Sequence, residues 1–391
     1  MYQYTGDYEK LYRSNKNQLR PLEDFYFYAF TPRPLMDGSF FTPDEELSSL
    51  LVMAHGQLGV LEGMTKYISE IEIIRDLMIL KECHYSRLID YDGDCFSVAL
   101  KSINANRKES QIISNIASAY KFSMGQNISS IVLSEICTIA IFGLESNHKI
   151  RVREDVVSLR GSFSNLIEYN PTSPNKILPA LADVAAYLEN DKITDVLVKA
   201  ALIHYQFEMI HPFERYNGIV GRMLFPMLLY AHGVKSASFI GLSEFLYLNR
   251  NEYFEILSTT QYSGGYIALI KFFVRCIYIS IKRISSQIEE FVQIVNEDEA
   301  KIDASKPLKS TWLVYDYFKK HLISEIKPIS ETLGISYNTV AKIVNGFLEM
   351  NILAKDDKQS RHRNFVYSRI MSVLSSADVP RYSHATNMED K

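Results

Sequence analysis

HPFERYNGIVGR, residues 211–222, sets a histidine in front of a proline and then gathers charge, an amide and a glycine ahead of an arginine. The run before it, DVLVKAALIHYQFEMI (195–210), has helical spacing, with Thr194 as a candidate N-cap. Pro212 biases His211 away from helical torsions, so this helix is expected to end there. A second helix is expected from about Gly218, carrying VGRMLFPMLLYAHG to Gly233. Two helices therefore meet at a short polar loop.

That loop admits three readings. His211 can be a satisfied core histidine beside Glu208. His204, Glu208 and His211 also share one helical face, and Glu208-x-x-His211 has di-metal carboxylate spacing, with Glu145-x-x-His148 as a partner. No metal is expected, because His211 precedes proline and the companion glutamates are not placed to complete a set. The third reading is an anion seat. Asn217 and Gly218 open a helix whose first N–H groups and macrodipole attract negative oxygen, Arg222 lies one turn in to clamp a phosphate, and His211 is placed to take a proton.

The chain around this loop is ordinary. Its 391 residues are 47% hydrophobic and 23% charged, with a net charge of −4, so composition implies neither a polybasic nor a strongly acidic partner. Cys83, Cys95, Cys137 and Cys276 form no CxxC pair, which argues against a thiolate zinc site or disulfide framework and suits a reducing cytoplasm. No secretion signal or membrane span is expected. The first ~140 residues read as helical throughout. TPDE (42–45) offers Thr42 as N-cap, Pro43 at the first helical position and Glu45 as a capping-box partner. The valine-rich stretch 150–163 reads as a β-hairpin and NEDEAKIDASKPLK (296–309) as a linker. Beyond it, a short helix, a turn at Gly334–Ser336 and a longer helix have helix-turn-helix spacing, and residues 353–368 alternate like a two-stranded wing.

The 211–222 segment resembles the signature of Fic-domain proteins, His-Pro-Phe-x-(Asp/Glu)-Gly-Asn-Gly-Arg-x-x-Arg, at His211, Pro212, Phe213, Asn217, Gly218 and Arg222. Arg215 stands where that signature has its Mg²⁺-binding carboxylate, Tyr216 replaces the first glycine and Ile219 the first arginine. KECHYSRLIDYD (81–92) resembles the family's inhibitory helix, with Ser86 and Ile89 kept and Asp90 for the glutamate that pairs with the last arginine. REDVVSLRG (153–161) resembles the flap that aligns the target segment, with Ser158 and Leu159 as flap residues and Arg160 in a glycine's place. NRNEYFEIL (249–257) resembles the adenine-side stretch, giving Tyr253 and Phe254, and Gln261 falls where a polar nucleotide contact is often found.

The resemblance covers about residues 45–370. It implies a mainly α protein with a small hairpin flap: a helical region over 1–120, a Fic core over 121–295, a winged helix over 310–373 and a disordered tail over 374–391. The implied reaction moves AMP from ATP, or a related group from another nucleotide donor, to a hydroxyl of an unidentified target protein. His211 would act on the hydroxyl, and Asn217, Gly218, Arg222 and Arg215 would hold phosphate. Mg²⁺ is not expected to be held at position 215, because Arg215 cannot ligate it. If the replaced glycine has φ > 0, Tyr216 carries a torsional penalty of roughly 1–3 kcal/mol. Transfer is therefore expected to be weak, altered or absent. The alternative is a noncatalytic regulator working through DNA or protein contacts, with Ser336, Tyr337, Asn338, Thr339 and Lys342 on the helix and Lys358, Arg361, His362 and Arg363 on the wing as DNA candidates. A homodimer is compatible with either.

Overall fold

The computed structural model describes residues 5–12, 26–36, 41–104, 107, 110–142, 144, 150–157, 159–160, 168–190, 194–356 and 364–374. The chain opens with an antiparallel hairpin, β1 (Gly6–Tyr12) and β2 (Tyr26–Pro32), in a register that sets Tyr8 opposite Phe30. This corrects the expectation of helix throughout the first ~140 residues. Phe30, fully buried, ties the hairpin to the body through its N–H to the Asn170 carbonyl at 3.0 Å. A lone hairpin is marginal in water, so tertiary contacts of this kind secure it.

Helices then follow: α1 (Glu45–Thr65), α2 (Ile71–Asp90), α3 (Phe96–Asn104), α4 (Gln111–Ser123) and α5 (Ser130–Ala140). The N-cap of α1 is Asp44 and not Thr42; its carboxylate accepts from Leu47 N at 2.9 Å and also meets Lys271 at 2.6 Å. A carboxylate satisfies helix N–H groups and a distant lysine together, which the threonine hydroxyl could not. Among residues 150–163 the only described strand is β3 (Leu159–Arg160), and it pairs with β4 (Glu168–Tyr169), so the hairpin reaches further along the chain than expected. Val152 instead bridges to Phe213 in the signature loop. Ser158 lies outside the described residues.

Helix α6 (Ile177–Asn190) follows the proline-rich turn and was not foreseen. Next comes α7 (Val196–Ile210), buried on every face from Leu197 to Ile210, the mark of a central helix. Asp195 caps it rather than Thr194, because its carboxylate accepts from Leu197 N at 2.9 Å and holds His55 of α1 at 2.7 Å. Around α7 lie α8 (Asn217–Ala231), α9 (Ser243–Leu248), α10 (Arg250–Ser263) and the 39-residue α11 (Tyr266–Ala304).

The linker expected over 296–309 is helical as far as Ala304. Its polar residues are bound and not loose: Asp298 is fully buried and accepts from Tyr367 Oη (2.8 Å), Arg369 Nη1 (2.9 Å) and Lys301 Nζ (2.7 Å). The C-terminal segment contains α12 (Lys309–His321), β5 (Ile323–Ser324), α13 (Ile326–Leu333), α14 (Tyr337–Glu349), β6 (Ala354–Lys355), β7 (Phe365–Val366) and α15 (Ser368–Val373). Its three strands form an antiparallel sheet in the order β5-β7-β6. Lys358, Arg361, His362 and Arg363 lie outside the described residues, as does the expected tail from 375 onward. Among the described residues no helix is long and apolar enough to cross a membrane.

Candidate active site

The loop between α7 and α8 is bent by two residues in the left-handed region, His211 (φ 48°) and Tyr216 (φ 64°). Asn217 closes it from inside: its Oδ1 accepts from Phe213 N at 2.8 Å and its Nδ2 donates to Phe213 O at 2.7 Å. The amide side chain is thus spent on the loop, and only the backbone at 217–219 is left to face an anion. The first helical bond of α8 is Val220 N–H to Tyr216 O at 3.0 Å, so the N–H groups before it have no helical acceptor.

Arg153 braces the loop from the other side. Fully buried, it donates from Nε to His211 O at 2.6 Å and from Nη2 to Ile210 O at 3.1 Å, and the same Nη2 bonds the Thr172 carbonyl. Its neighbours pair with the loop strand-fashion, Arg153 N to Pro212 O at 2.9 Å and Glu214 N to Arg151 O at 3.2 Å. One guanidinium therefore satisfies the carbonyls left open where α7 ends. The sequence reading passed over Arg153; an arginine inside a valine-rich strand pattern was the available signal.

The two histidines of α7 differ in kind. His204 is fully buried, with Nδ1 2.8 Å from Gly221 O and Nε2 3.0 Å from Tyr253 Oη. A carbonyl can only accept, so Nδ1 carries the proton and Nε2 accepts from the tyrosine. Burial depresses its pKa to about 3, and the imidazole is neutral. His204 is a satisfied core histidine, a reading that had been weighed for His211 and not for His204. His211 is partly exposed, and its buried Nδ1 has no hydrogen-bond partner. Burial first, and the Arg153 charge second, lower its pKa to about 3, so the ring is neutral and takes up a proton only where negative charge beside it offsets both effects. Among the described residues no group of three His, Cys, Asp or Glu side chains is arranged for a metal, and Glu145 and His148 lie outside them.

Arg222 is the electrostatic centre. Only 2% exposed, it donates from Nη2 to Asp90 Oδ2 at 2.6 Å and to Ser86 O at 2.8 Å, and from Nε to Ser86 Oγ at 2.9 Å. Burial opposes its charge, but Asp90, Tyr253 and Glu208 outweigh that and hold its pKa above the ordinary value. The Asp90 carboxylate also lies against Gly218: a Cβ there would come within 2.9 Å of Asp90 Oδ2 and 2.8 Å of Arg222 Nη1. Any larger residue at the start of α8 would expel the carboxylate. Asp90 thus brings negative oxygen to the point where the α8 dipole and Arg222 both favour it.

Two further carboxyls crowd the same arginine. Glu208, buried with Oε1 unpartnered, packs its carboxyl against Gly221 and has its pKa raised by burial to about 8. Glu82, buried one turn before Ser86 on α2, accepts from Ser243 N at 2.9 Å and has its pKa raised by burial to about 7. Glu208 had been weighed as a metal ligand and as a neighbour of His211, and Glu82 not at all. Buried glutamates flanking one buried arginine were not readable from spacing alone.

The remaining candidates divide. Arg215 is exposed, and its backbone carbonyl lies 3.9 Å from Cys137 Sγ. Tyr216 packs against Tyr91, the residue after Asp90, with ring centroids 6.4 Å apart. Tyr253 joins the buried group through His204, and Phe254 packs on Tyr253 at 5.0 Å with the Arg250 guanidinium 5.8 Å from its ring. The Gln261 backbone carbonyl accepts from Tyr8 Oη of the N-terminal hairpin at 3.2 Å. Leu159 lies on β3.

Residues 127–229, which span α7, the loop and α8 as far as Leu229, match the Fic/DOC family. The chain carries a Fic domain. Its curated relatives include a probable protein adenylyltransferase from Aquifex aeolicus (strain VF5), 27% identical over 132 residues, and protein adenylyltransferase fic-1 from Caenorhabditis briggsae, 33% identical over 69. These alignments cover 34% and 17% of this chain and only 38% and 13% of the relatives. A Fic family protein from Desulfovibrio desulfuricans G20 shares the fold with a TM-score of 0.56 at 14% identity, covering 84% of this chain and 98% of that one. The Fic match includes His211, Asn217, Gly218 and Arg222, whereas Ser86, Asp90 and Tyr253 come to them from outside it.

Proposed function

We propose that the chain is a Fic-type nucleotidyl transferase whose resting site is closed by Asp90, with ATP or another nucleotide as donor and a protein hydroxyl as acceptor. One observation supports this most: a carboxylate rests on Arg222 at 2.6 Å and against Gly218, so an anion already occupies the mouth of α8. A nucleotide phosphate would replace Asp90 on Arg222, with a second phosphate at the α8 backbone. The target hydroxyl would then attack the α-phosphorus. The new O–P bond forms as the bond to the bridging oxygen breaks, pyrophosphate leaves, and the neutral His211 ring takes the hydroxyl proton.

The residues present do not fit a divalent metal at the loop. The Arg215 side chain supplies no oxygen where the family signature has a carboxylate, and hard cations need carboxylates or comparable oxygens. No step is therefore assigned to a metal, and slow transfer is the expected consequence, since losing one anion-stabilising group typically removes ~10²- to 10³-fold in rate. The left-handed Tyr216 favours a second reading, a Fic fold that binds nucleotide without transferring it. Labelled ATP, with and without Mg²⁺, separates the two. Asp90→Gly should bind nucleotide at least about tenfold more tightly than the parent, a difference of ~1.4 kcal/mol. If it also labels protein in a His211-dependent way, transfer is established; binding without labelling leaves the second reading. Failure of Asp90→Gly to bind any nucleotide would remove both.

A further inference from the structure

Residues 91–95 alone separate Asp90, at the end of α2, from the start of α3. They lie against the last turn of α2: Arg87 Nη1 donates to Asp92 O at 3.1 Å, and a Cβ at Gly93 would come within 2.6 Å of Arg87 Nη1 and 2.9 Å of Leu88 Cδ2. Phe96, the first residue of α3, is buried with its ring centroid 5.5 Å from that of His84 on α2. His84 is buried with neither ring nitrogen hydrogen-bonded, so it packs as an apolar plate. The end of α2 and α3 thus form one packed unit, and a shift of α3 is carried to Asp90.

The far end of that unit is held by the C-terminal segment. Asn104, the last residue of α3, donates from Nδ2 to His321 O at 2.6 Å and to Ile323 O at 2.8 Å. Between those carbonyls Leu322 stands at φ 59°, where α12 ends, so one amide serves two acceptors that the bend leaves open. Lys101, also on α3, pairs with Asp356 at 3.2 Å. The near end is held as well. Lys319 of α12, buried, lies 3.7 Å from Glu70 at the start of α2, 3.1 Å from Glu299 of α11 and 3.0 Å from Asp316. These links are made by other residues than the Asp298 fastening of Tyr367 and Arg369 to α11.

We propose that the C-terminal segment is a latch on the candidate site: seated on α3 and on the start of α2, it keeps Asp90 on Arg222, and its release from α3 lets the carboxylate leave and nucleotide enter. This role rests on the closed resting site proposed above. The two states differ in named contacts. In the closed state Asn104 and Lys101 keep their partners while Asp90 fills the position beside Gly218; in the open state phosphate takes that position and the contacts of α3 are released. By linkage, nucleotide loosens the hold on α3 by the same factor as release of α3 favours nucleotide, typically about 5- to 150-fold.

The test is calorimetric binding of ATP to the full chain without Mg²⁺. Asn104→Ala with Lys101→Glu should bind ATP at least about fivefold more tightly than the parent. In an Asp90→Gly background the same two substitutions should change affinity less than about twofold, because no carboxylate is left to release. Lys101→Glu alone should give part of the gain, and adding Asp356→Lys, which restores the ion pair with its sense reversed, should remove it; a general loosening of the fold would not be reversed in this way. In the parent, ATP should speed amide hydrogen exchange across 96–104, a readout that needs no variant. Equal affinity of parent and α3 variant, while Asp90→Gly binds more tightly than both, overturns the latch and leaves the closed site standing. An equal gain in both backgrounds also overturns it, since the substitutions then act without Asp90. If Asp90→Gly binds no ATP, the closed site falls and the latch with it.

Discussion

Arg222 and Asp298 are both buried charges, and their surroundings are opposite. Asp298 is saturated: a tyrosine, an arginine and a lysine all donate to it. Arg222 takes its hydrogen bonds from what α2 brings, Ser86 and Asp90, and the Glu208 carboxyl whose charge bears on it has Oε1 with no partner. A saturated buried network holds a structure together; a buried charge whose partner is borrowed, with an unsatisfied carboxyl bearing on it, is arranged for exchange. The contrast separates fastening from function within one molecule.

The largest effect should come from breaking the fastening. Asp298→Ala leaves buried donors without an acceptor and should cost about 3–5 kcal/mol in urea unfolding, with nucleotide binding by the remaining folded protein unchanged. A loss of nucleotide affinity equal to that of an Arg222 variant would erase the distinction between the two regions.

A second test uses Glu208, whose folded pKa of about 8 lies above its ordinary value of 4.5. The folded chain keeps this proton after the unfolded chain has lost it, so stability should fall as pH rises from about 4.5 to about 8 and level off beyond. The spread is on the order of 5 kcal/mol. Glu208→Gln should flatten that fall, and its advantage over the parent should be present at pH 8 and absent near pH 4. Equal slopes for parent and variant would show that Glu208 is not the group concerned.

Asp90 comes next. Its side chain is 26% exposed, so removing it strands Arg222 only in part; Asp90→Ala should cost about 2 kcal/mol. Added nucleotide or inorganic phosphate should return that stability in the variant more than in the parent, because the vacated position accepts an anion. The same contrast fails if phosphate stabilises both proteins equally.

These differences track what was legible beforehand. The loop was readable because a proline, an asparagine and a glycine at fixed offsets constrain the backbone, and the Asp90–Arg222 pair because its two halves resemble one family's segments. The N-terminal hairpin was hidden: YFYAFTP is apolar on both faces and shows no alternation, and what holds it is distant, the Asn170 carbonyl and the Gln261 carbonyl. The Tyr8 bond to the Gln261 carbonyl was hidden with it. Helix continuity through 296–304 was concealed in the same way. Charged residues read as solvated until Tyr367 and Arg369, some 70 positions later, are seen to hold Asp298.

The smallest effect concerns Tyr216. At φ 64° a tyrosine lacks the ease of glycine, so Tyr216→Gly relieves torsional strain while it forfeits the contact with Tyr91 and frees the unfolded chain. The two sides nearly cancel, and net stability should move by less than about 1 kcal/mol. Nucleotide affinity need not follow that cancellation. The ring stands beside Asp90 at the mouth of α8, so its removal should tighten nucleotide binding severalfold in an Asp90→Gly background and very little in the parent, where the carboxylate still fills the position. Equal gains in both backgrounds would mean that Tyr216, and not Asp90, closes the site.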